Sequence, residues 1–312
     1  MKILNSLLEI QQLNQSPVTV GLTIGNFDGV HAGHRQLLKK LQAECTKKGL
    51  QFVVVTFIPH PQKILQPEKE RFLLNSYEKR RELLATLGVN YLVELKFTRD
   101  FSTLSAESFM RTHLFSYQGL KEFYLGYDFA FGANKQGGHD LASTICHESG
   151  INVEIQPKFE MHSEVVSSTF IRDLIFSGRV DEASIYLERT FNLEGVVIKG
   201  EGRGKKIGYP TANIQVSPDL IIPDNGVYVT RTKYQNMTYH SVTNIGFNPT
   251  FKDGKQMHIE TNIFDFDNDI YGERLEIEFI KKLRNEKKFS TVNDLVNQIK
   301  ADVITAKKML QS

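Results

Sequence analysis

The chain has 312 residues, a length that accommodates two domains, each able to bury its own core. Hydrophobic residues make up 40% and charged residues 24%, as in soluble globular proteins, and no apolar run approaches the roughly 20 residues that a bilayer-spanning helix needs. The 38 basic and 36 acidic residues leave a formal net charge of +2, which gives no broad electrostatic footprint for nucleic acid, so neither a membrane nor a nucleic-acid partner is expected.

The first half of the chain alternates the patterns of strands and helices. Apolar runs predict strands over residues 18–24, 52–57, 91–95, 122–126 and 151–155, and amphipathic spacing predicts helices over residues 33–48, 76–87, 106–114 and 140–148. Asp140 is the predicted cap of the last of these helices. The alternation predicts a parallel, doubly wound α/β sheet with helices on both faces. Ligands of such sheets bind beyond the carboxyl ends of the strands, where four side chains fall: His31, His34, His60 and Asp128.

The second half begins with helices and then changes to strands. Ser167, Ser168 and Thr169 precede a helix predicted over residues 170–176, and Asp181 is the expected cap of a helix that ends near residue 187. Six strands without intervening helices follow, over residues 193–199, 211–216, 226–234, 237–245, 258–264 and 275–280. They predict a small antiparallel β-barrel, and an amphipathic helix over residues 291–310, capped by Thr291, follows it. The predicted domains are residues 1–187 and 188–312.

A glycine- and histidine-rich run joins the first long strand to the first long helix: Gly25-Asn26-Phe27-Asp28-Gly29-Val30-His31-Ala32-Gly33-His34. Backbone N–H groups and the helix dipole attract an anion at such a junction. His31 and His34 share one face of the first helical turn and can donate hydrogen bonds to phosphoryl oxygens, while Gly33 lets a phosphate approach the backbone. The run predicts a nucleotide phosphate site. Two solvated or core histidines, or a zinc-binding pair, are the alternatives.

A second glycine-rich run lies between two predicted strands of the barrel: Gly200-Glu201-Gly202-Arg203-Gly204-Lys205-Lys206-Ile207-Gly208. Flexible backbone and positive charge together can wrap phosphates, although glycine-rich hairpin loops are common. Pro210 fixes the backbone that follows, and Thr211 and Asn213 share one side of a strand, where they offer two oxygen ligands to Mg²⁺. Ordinary outward-facing polarity is the alternative interpretation of Thr211 and Asn213.

Glu260 is a carboxylate within a strand whose neighbours Ile259 and Ile263 are apolar. A half-buried carboxylate there can accept a proton from a substrate hydroxyl that attacks phosphorus. A solvent-facing glutamate with no role in catalysis is the alternative.

Cysteine usage and the amino-terminal segment bear on location. Cys45 and Cys146 are far apart in the sequence, which gives no disulfide framework and suits a reducing compartment. Residues 1–13 lack the basic start and continuous apolar stretch of a signal peptide. The sequence therefore predicts a cytoplasmic protein.

The motifs taken in order resemble the bacterial bifunctional riboflavin kinase/FAD synthetase family over almost the whole chain. Besides the two runs above, the resemblance rests on short motifs along the chain: Thr56-Phe57 with Pro59-His60-Pro61, Gly126-Tyr127-Asp128-Phe129 with Phe131-Gly132, Ser167-Ser168-Thr169 with Ile171-Arg172, Gly208-Tyr209-Pro210-Thr211-Ala212-Asn213, and Glu260 ahead of Asp265-Phe266. The resemblance implies that the first domain is nucleotidyltransferase-like and joins FMN to the adenylyl group of ATP, forming FAD and pyrophosphate.

The resemblance also implies roles for individual residues of the adenylylation site. His31 and His34 would stabilise charge on the phosphates, and Ser168, Thr169 and Arg172 would hold the β- and γ-phosphates. Arg172 suits this role because a guanidinium binds phosphate oxygens bidentately. The remaining nucleotide-binding positions are Gly25, Asn26, Phe27, Asp28, Gly33 and Asp128.

For the second domain the resemblance implies a kinase that moves the γ-phosphoryl group of ATP to the ribityl 5′-hydroxyl of riboflavin. Thr211 and Asn213 would hold the Mg²⁺–nucleotide, and the segment with Gly200, Gly202 and Gly204 would cover its phosphates. Glu260 would be the catalytic base. The expected substrates and products are riboflavin, FMN, FAD and ATP, with Mg²⁺ as the metal.

One position departs from the family pattern. The family usually has Phe-Asp-Pro-His-Pro where this chain has Phe57-Ile58-Pro59-His60-Pro61, so any contact from that carboxylate is lost. His60 is either a flavin or nucleotide contact or a structural loop histidine. A chain with only one live activity, and a regulator that binds flavin without turnover, are the alternative functions. The sequence leaves a homo-oligomer open.

Overall fold

The computed structural model describes residues 1–14, 16–127, 129–133, 136–200, 202–250 and 254–311, and for 247–250 and 254–256 it describes the backbone only. Backbone packing divides the chain into two compact units. The first unit comprises Met1–Lys69 and Tyr77–Ser167, and the second comprises Glu70–Ser76 and Ser168–Ser312. Packing therefore groups the helices of residues 168–187 with the barrel. The predicted boundary between residues 187 and 188 stays a prediction.

The first unit is built on a sheet of six parallel strands within the described residues. They are β1 (Lys2–Leu4), β2 (Val20–Ile24), β3 (Gln51–Ile58), β4 (Tyr91–Lys96), β5 (Leu120–Leu125) and β6 (Asn152–Ile155). Their order across the sheet is β1-β4-β3-β2-β5-β6, so the chain crosses over between neighbours. A hairpin of β7 (Glu160–Met161) and β8 (Glu164–Val165) follows the sheet.

The helices of the first unit cover both faces of the sheet. They are α1 (Leu8–Gln12), α2 (Ala32–Lys47), α3 (Pro61–Leu65), α4 (Tyr77–Ala85), α5 (Ala106–Phe109) and α6 (His139–Glu148). Alternate residues of β3 face different cores: Val53 and Val55 pack in one hydrophobic cluster, and Phe52 and Val54 in the other. A strand buried on both faces accounts for the continuous apolar run in the sequence. The predicted doubly wound α/β fold is confirmed.

The second unit contains a closed antiparallel barrel of six strands. They are β9 (Phe191–Ile198), β10 (Ala212–Val216), β11 (Gly226–Tyr234), β12 (Met237–Thr250), β13 (Gly254–Ile263) and β14 (Arg274–Arg284), in the order β10-β13-β12-β11-β14-β9. Its helices are α7 (Ser168–Phe176), α8 (Val180–Leu187), α9 (Arg203–Lys206) and α10 (Val292–Gln311). The predicted barrel with a carboxy-terminal helix is confirmed.

The barrel interior combines apolar side chains with a cluster of hydroxyls. Phe191, Leu193, Ile277 and Phe279 are buried there. Five hydroxyl side chains are also fully buried and hydrogen-bond to one another across three strands: Thr230, Thr232, Ser241, Thr243 and Thr261. Each hydroxyl can donate one bond and accept others, so the cluster satisfies its own polar atoms inside the barrel.

Some local predictions were right and others wrong. Thr291 caps α10, because its hydroxyl accepts from the Asp294 backbone N–H at 3.1 Å. Asp140 and Asp181 are not caps, because α6 and α8 each begin two residues earlier than they would if capped there. Both aspartates lie in the first turn, where a carboxylate interacts favourably with the helix dipole. The helix predicted over residues 106–114 is α-helical only to Phe109 and continues as a π-helical turn, Met110–Leu114.

Two features bear on the expectations from composition. Both cysteines are free thiols and are buried. No helix among the described residues has the length and apolar character that crossing a membrane requires.

Candidate nucleotide sites

The loop between β2 and α2 has an unusual backbone. Phe27 and Val30 have φ angles of 48° and 39°, in the left-handed region that bulky side chains rarely occupy. Each such backbone conformation destabilises the folded state by about 1–3 kcal/mol, and conformations of this kind cluster at functional sites. The side chains of Phe27 and Asp28 are both buried, so the surrounding structure holds the loop. The predicted phosphate site thus lies on a strained and firmly packed loop.

His31 caps the helix that follows this loop. Its Nδ1 accepts a hydrogen bond from the His34 backbone N–H at 3.3 Å, and the side chain is only 5% exposed. Because Nδ1 acts as an acceptor, the proton of the neutral imidazole is on Nε2. His31 is therefore held in the tautomer that offers Nε2–H as a donor.

His34 is held against two other rings. Its imidazole stacks on that of His31, with ring centroids 3.6 Å apart, and meets Phe27 edge-on at 5.2 Å. Its Nδ1 is buried without a hydrogen-bond partner among the described residues, and burial lowers the pKa of His34 to about 3. At neutral pH this imidazole is uncharged, so it can serve a phosphate as a neutral hydrogen-bond donor and not as a cation.

Gly33 lies where neighbouring rings leave little room for a side chain. A Cβ at this position would be 3.3 Å from His31 Nδ1 and 3.3 Å from a ring carbon of Phe159. The glycine therefore lets His31 fold back as the helix cap. This close packing is a reason for Gly33 in addition to the phosphate approach predicted from the sequence.

Two further predicted positions, Gly25 and Asn26, make hydrogen bonds through their backbones. The Gly25 N–H donates to the Val55 carbonyl at 3.1 Å, and the Asn26 carbonyl accepts from the Thr56 hydroxyl at 3.3 Å. Both bonds tie the loop to β3. Asp128 lies outside the described residues.

Arg80, on α4, was not singled out from the sequence. Its side chain is 2% exposed, and Nη1 donates to the Asn26 carbonyl at 3.0 Å while Nη2 donates to the Phe57 carbonyl at 3.3 Å. Its sequence context, Tyr-Glu-Lys-Arg-Arg-Glu, looks like a solvated helix face. No local signal marked this arginine, because its partners are distant in the sequence.

His60 has a structural role in the described residues. It caps α3 through Nδ1, which accepts from the Gln62 N–H at 3.2 Å, and its own backbone N–H donates to the Tyr77 hydroxyl at 2.8 Å. The side chain is buried. His60 is therefore a structural histidine that caps a helix, and any contact with a ligand would be made through Nε2.

Ser168, Thr169 and Arg172 lie in the second unit, on α7. Ser168 is the first helical residue, so the helix begins two residues earlier than predicted. Arg172 Nε donates to the Phe72 carbonyl at 2.6 Å, which ties α7 to the segment Glu70–Ser76 of the same unit. The phosphate-binding role of these three residues stays a prediction.

The barrel brings Asn213 and Glu260 together. The two residues are paired neighbours in the register of β10 and β13, and Glu260 pairs with Asn244 of β12 on its other side. Ile259 and Thr261 are buried inside the barrel, so Glu260, between them, is on the outer face. The carboxylate position is thus flanked by two amide side-chain positions in one row across three strands.

The glycine segment lies directly beside this row. A Cβ at Gly200 would be 2.5 Å from Asn213 Cγ, and a Cβ at Gly204 would be 3.3 Å from the Thr211 hydroxyl oxygen. Thr211 and Asn213 therefore both point toward the segment. Gly202, with a φ of 68°, directly precedes the short helix α9, which the sequence did not predict. Glu201 lies outside the described residues.

The donor set at Thr211 and Asn213 suits a magnesium ion shared with a nucleotide. Mg²⁺ prefers oxygen ligands and is held by few protein groups together with phosphate oxygens and water. A hydroxyl and an amide oxygen are such groups. Within the part of the chain that the structure describes, no cluster of three or more His, Cys, Asp or Glu side chains forms a dedicated metal site.

Comparison with known proteins assigns both units to described families. The family model described as FAD synthetase matches residues 13–170, and the model described as riboflavin kinase matches residues 187–310. Bifunctional riboflavin kinase/FMN adenylyltransferase from Listeria monocytogenes is 37% identical over 90% of this chain and 89% of its own length, and that from Escherichia coli is 32% identical over 99% and 97%. A crystal structure described as a macrolide-efflux protein from Streptococcus pneumoniae is 32% identical, covers 98% of both chains and has a TM-score of 0.85.

A parallel α/β sheet with a nucleotidyltransferase-like loop, followed by a barrel with its own glycine segment, defines the class as a two-domain nucleotide-dependent transferase. The chain belongs to the bifunctional riboflavin kinase/FMN adenylyltransferase family. The resemblance drawn from the sequence motifs is confirmed.

Proposed function

We propose that the chain converts riboflavin to FAD in two consecutive reactions at two separate sites. The barrel phosphorylates riboflavin to FMN, and the parallel-sheet unit joins FMN to the adenylyl group of ATP and releases pyrophosphate. The observation that carries this conclusion is that both family models match within one chain, over residues 13–170 and 187–310. The substrates are therefore small molecules: riboflavin, FMN and ATP.

In the adenylylation reaction a phosphate oxygen of FMN attacks the α-phosphorus of ATP. A new P–O bond forms as the bond to the β-phosphate bridging oxygen breaks, and pyrophosphate leaves with that oxygen and its electron pair. His31 donates from Nε2–H, and His34 donates as a neutral imidazole, to phosphate oxygens whose charge grows during transfer. The tightly held loop supports this role because preorganised donors need no rearrangement at the moment of reaction.

In the kinase reaction the ribityl hydroxyl of riboflavin attacks the γ-phosphorus of ATP, and ADP leaves. Glu260 accepts the hydroxyl proton, while Thr211 and Asn213 position the nucleotide under the glycine segment of residues 200–208. The placement of Asn213 beside both Glu260 and Gly200 supports this assignment. Mg²⁺ held by Thr211 and Asn213 would neutralise phosphate charge when bound.

We also propose that the enzyme is cytoplasmic and has no nucleic-acid partner. Two buried free thiols suit a reducing compartment, and the net charge of +2 gives little attraction to nucleic acid.

Turnover assays with two variants test the separation of the sites. With Mg²⁺–ATP, the wild-type chain should form FMN and then FAD from riboflavin. His31→Ala should stop at FMN, and Glu260→Gln should make FAD only when FMN is supplied. Equal loss of both activities in either variant would refute separate sites, and formation of only one product by the wild-type chain would support the alternative of a single live activity.

A further inference from the structure

The first unit contains a buried positive charge that the reaction chemistry above does not use. Arg80 is 2% exposed, although burying a guanidinium is costly unless the charge is paired and its N–H groups are hydrogen-bonded. The groups that it contacts therefore indicate what it does. They are two backbone carbonyls, the carboxylate of Glu94 at 3.6 Å and the ring of Tyr77, whose centroid is 5.1 Å from the guanidinium carbon.

The two carbonyls belong to two different chain segments at the carboxyl ends of neighbouring parallel strands. Asn26 follows β2 and comes directly before Phe27, where the backbone enters the left-handed region. Phe57 lies near the end of β3 and leads to the segment that contains His60. A guanidinium is planar and presents its donors in a fixed fork, so Arg80 holds both segments in one rigid arrangement.

Neighbouring carboxylates offset the charge of Arg80. Burial lowers the pKa of Arg80, and the carboxylates of Glu94 and Asp28 oppose this effect by favouring the charged guanidinium. Glu94 is also bonded by Arg81, through Nε at 3.0 Å and Nη2 at 2.6 Å. Arg81 thus pairs with the same carboxylate from a more exposed position, with a side-chain exposure of 32% against 2% for Arg80. The adjacent arginine, on the same helix, is a control of the same residue type and charge.

We propose that Arg80 is a positioning residue for adenylyl transfer, which fixes the loop of residues 25–30 so that His31 and His34 meet the phosphates in a productive geometry. The inference rests on the proposed role of these two histidines. Arg80 acts through the Asn26 carbonyl and does not itself touch the substrates. Loss of the fork should therefore reduce turnover more than it weakens binding of ATP, because the donors remain present but are misplaced.

The test compares Arg80→Met, Arg80→Lys and Arg81→Met in the full-length chain. We expect Arg80→Met to lower kcat for FAD formation by about 100-fold, the scale of a misplacement of about 1 Å, with a change in KM for ATP of less than about threefold. Arg80→Lys keeps the charge and one donor nitrogen but not the planar fork, and should recover about tenfold of this loss. Arg81→Met should stay within about threefold of the wild type, because it leaves the fork intact.

FMN formation by the barrel is an internal control in every variant and should be unchanged. A rate of FAD formation by Arg80→Met close to that of the wild type, or equal losses in Arg80→Met and Arg81→Met, would overturn the proposal. Loss of the cooperative unfolding transition of the first unit in both Arg80 variants would also overturn the proposal, because Arg80 would then be needed for folding and not for positioning the loop. If His31→Ala forms FAD at the wild-type rate, the assignment of the adenylylation site is wrong. If His31→Ala is impaired but the Arg80 variants form FAD at the wild-type rate, only the positioning role of Arg80 is wrong.

Discussion

A single methyl group at Gly200 should impair the kinase and spare the adenylyltransferase. In Gly200→Ala the new Cβ would be 2.5 Å from Asn213 Cγ, and the other atoms of the amide lie close as well. Ordinary contact between carbon atoms needs about 3.5 Å, so the amide must move by roughly 1 Å. The movement costs little stability, because Asn213 is a partly exposed side chain that can rotate away from the methyl group.

The cost should instead be functional, because Asn213 holds the nucleotide in the proposed mechanism. A misplacement of about 1 Å in a positioning group lowers turnover by about 100-fold, equivalent to about 2.7 kcal/mol of lost transition-state stabilisation. We therefore expect kcat/KM for FMN formation to fall by this factor in Gly200→Ala.

The assay measures FMN formation from riboflavin and, separately, FAD formation from supplied FMN. FAD formation should not change. Gly138→Ala, in the first unit, is the control for a glycine-to-alanine change, because among the described residues other than its chain neighbours no side chain or backbone atom is found within 4 Å of its Cβ position. Normal FMN formation by Gly200→Ala would refute the placement of Asn213 in the kinase site.

Further predictions concern ionisation, stability and thiol reactivity. The pKa of His34 is about 3 in the folded chain and 6.5 when unfolded, so the unfolded chain binds more protons between these pH values. The free energy of unfolding of the first unit should therefore fall by up to about 2 kcal/mol between pH 6.5 and pH 5. In urea unfolding, His34→Gln should remove this pH dependence. A slope that His34→Gln leaves unchanged would contradict the buried imidazole. Asp302 accepts hydrogen bonds from Arg284 Nε at 3.1 Å and Nη2 at 2.7 Å. Asp302→Ala should therefore lower the free energy of unfolding of the second unit in urea by about 3 kcal/mol. A decrease of less than about 1 kcal/mol would show that the pair contributes little to stability. Burial raises the pKa of both Cys45 and Cys146 to about 11, so neither thiol should react with a disulfide reagent at pH 8 until the chain unfolds.

The sequence predicted the architecture because the main elements carry strong local patterns. The apolar run of β3 reflects a strand that is buried on both faces. The alternation of apolar and polar residues in the barrel strands reflects strands that are buried on one face only. Short elements carry no such pattern: β1 has three residues, and it forms a strand because it pairs with β4, far along the chain. The hydroxyl cluster in the barrel was missed for the same reason, since threonines such as Thr230 and Thr243 look outward-facing unless their partners across the barrel are known.

The candidate sites divide in a similar way. Glycines and histidines in the loop after β2 were recognised from residue type and spacing, whereas the stacking of His34 that keeps it neutral depends on tertiary packing. Asn213 and Glu260 were each proposed individually, but their direct pairing is set by strand register. Arg80 was missed because the carbonyls that it contacts are contributed by segments that only the fold brings near.

Mixing two single-site variants tests the central claim most directly. His31→Ala should make FMN but no FAD, and Glu260→Gln should make FAD from FMN but not from riboflavin. With Mg²⁺–ATP and riboflavin, the mixture of the two chains should therefore produce FAD although neither chain does so alone. No FAD from the mixture, or FAD from riboflavin with either variant alone, would contradict the account of two separate sites in one chain.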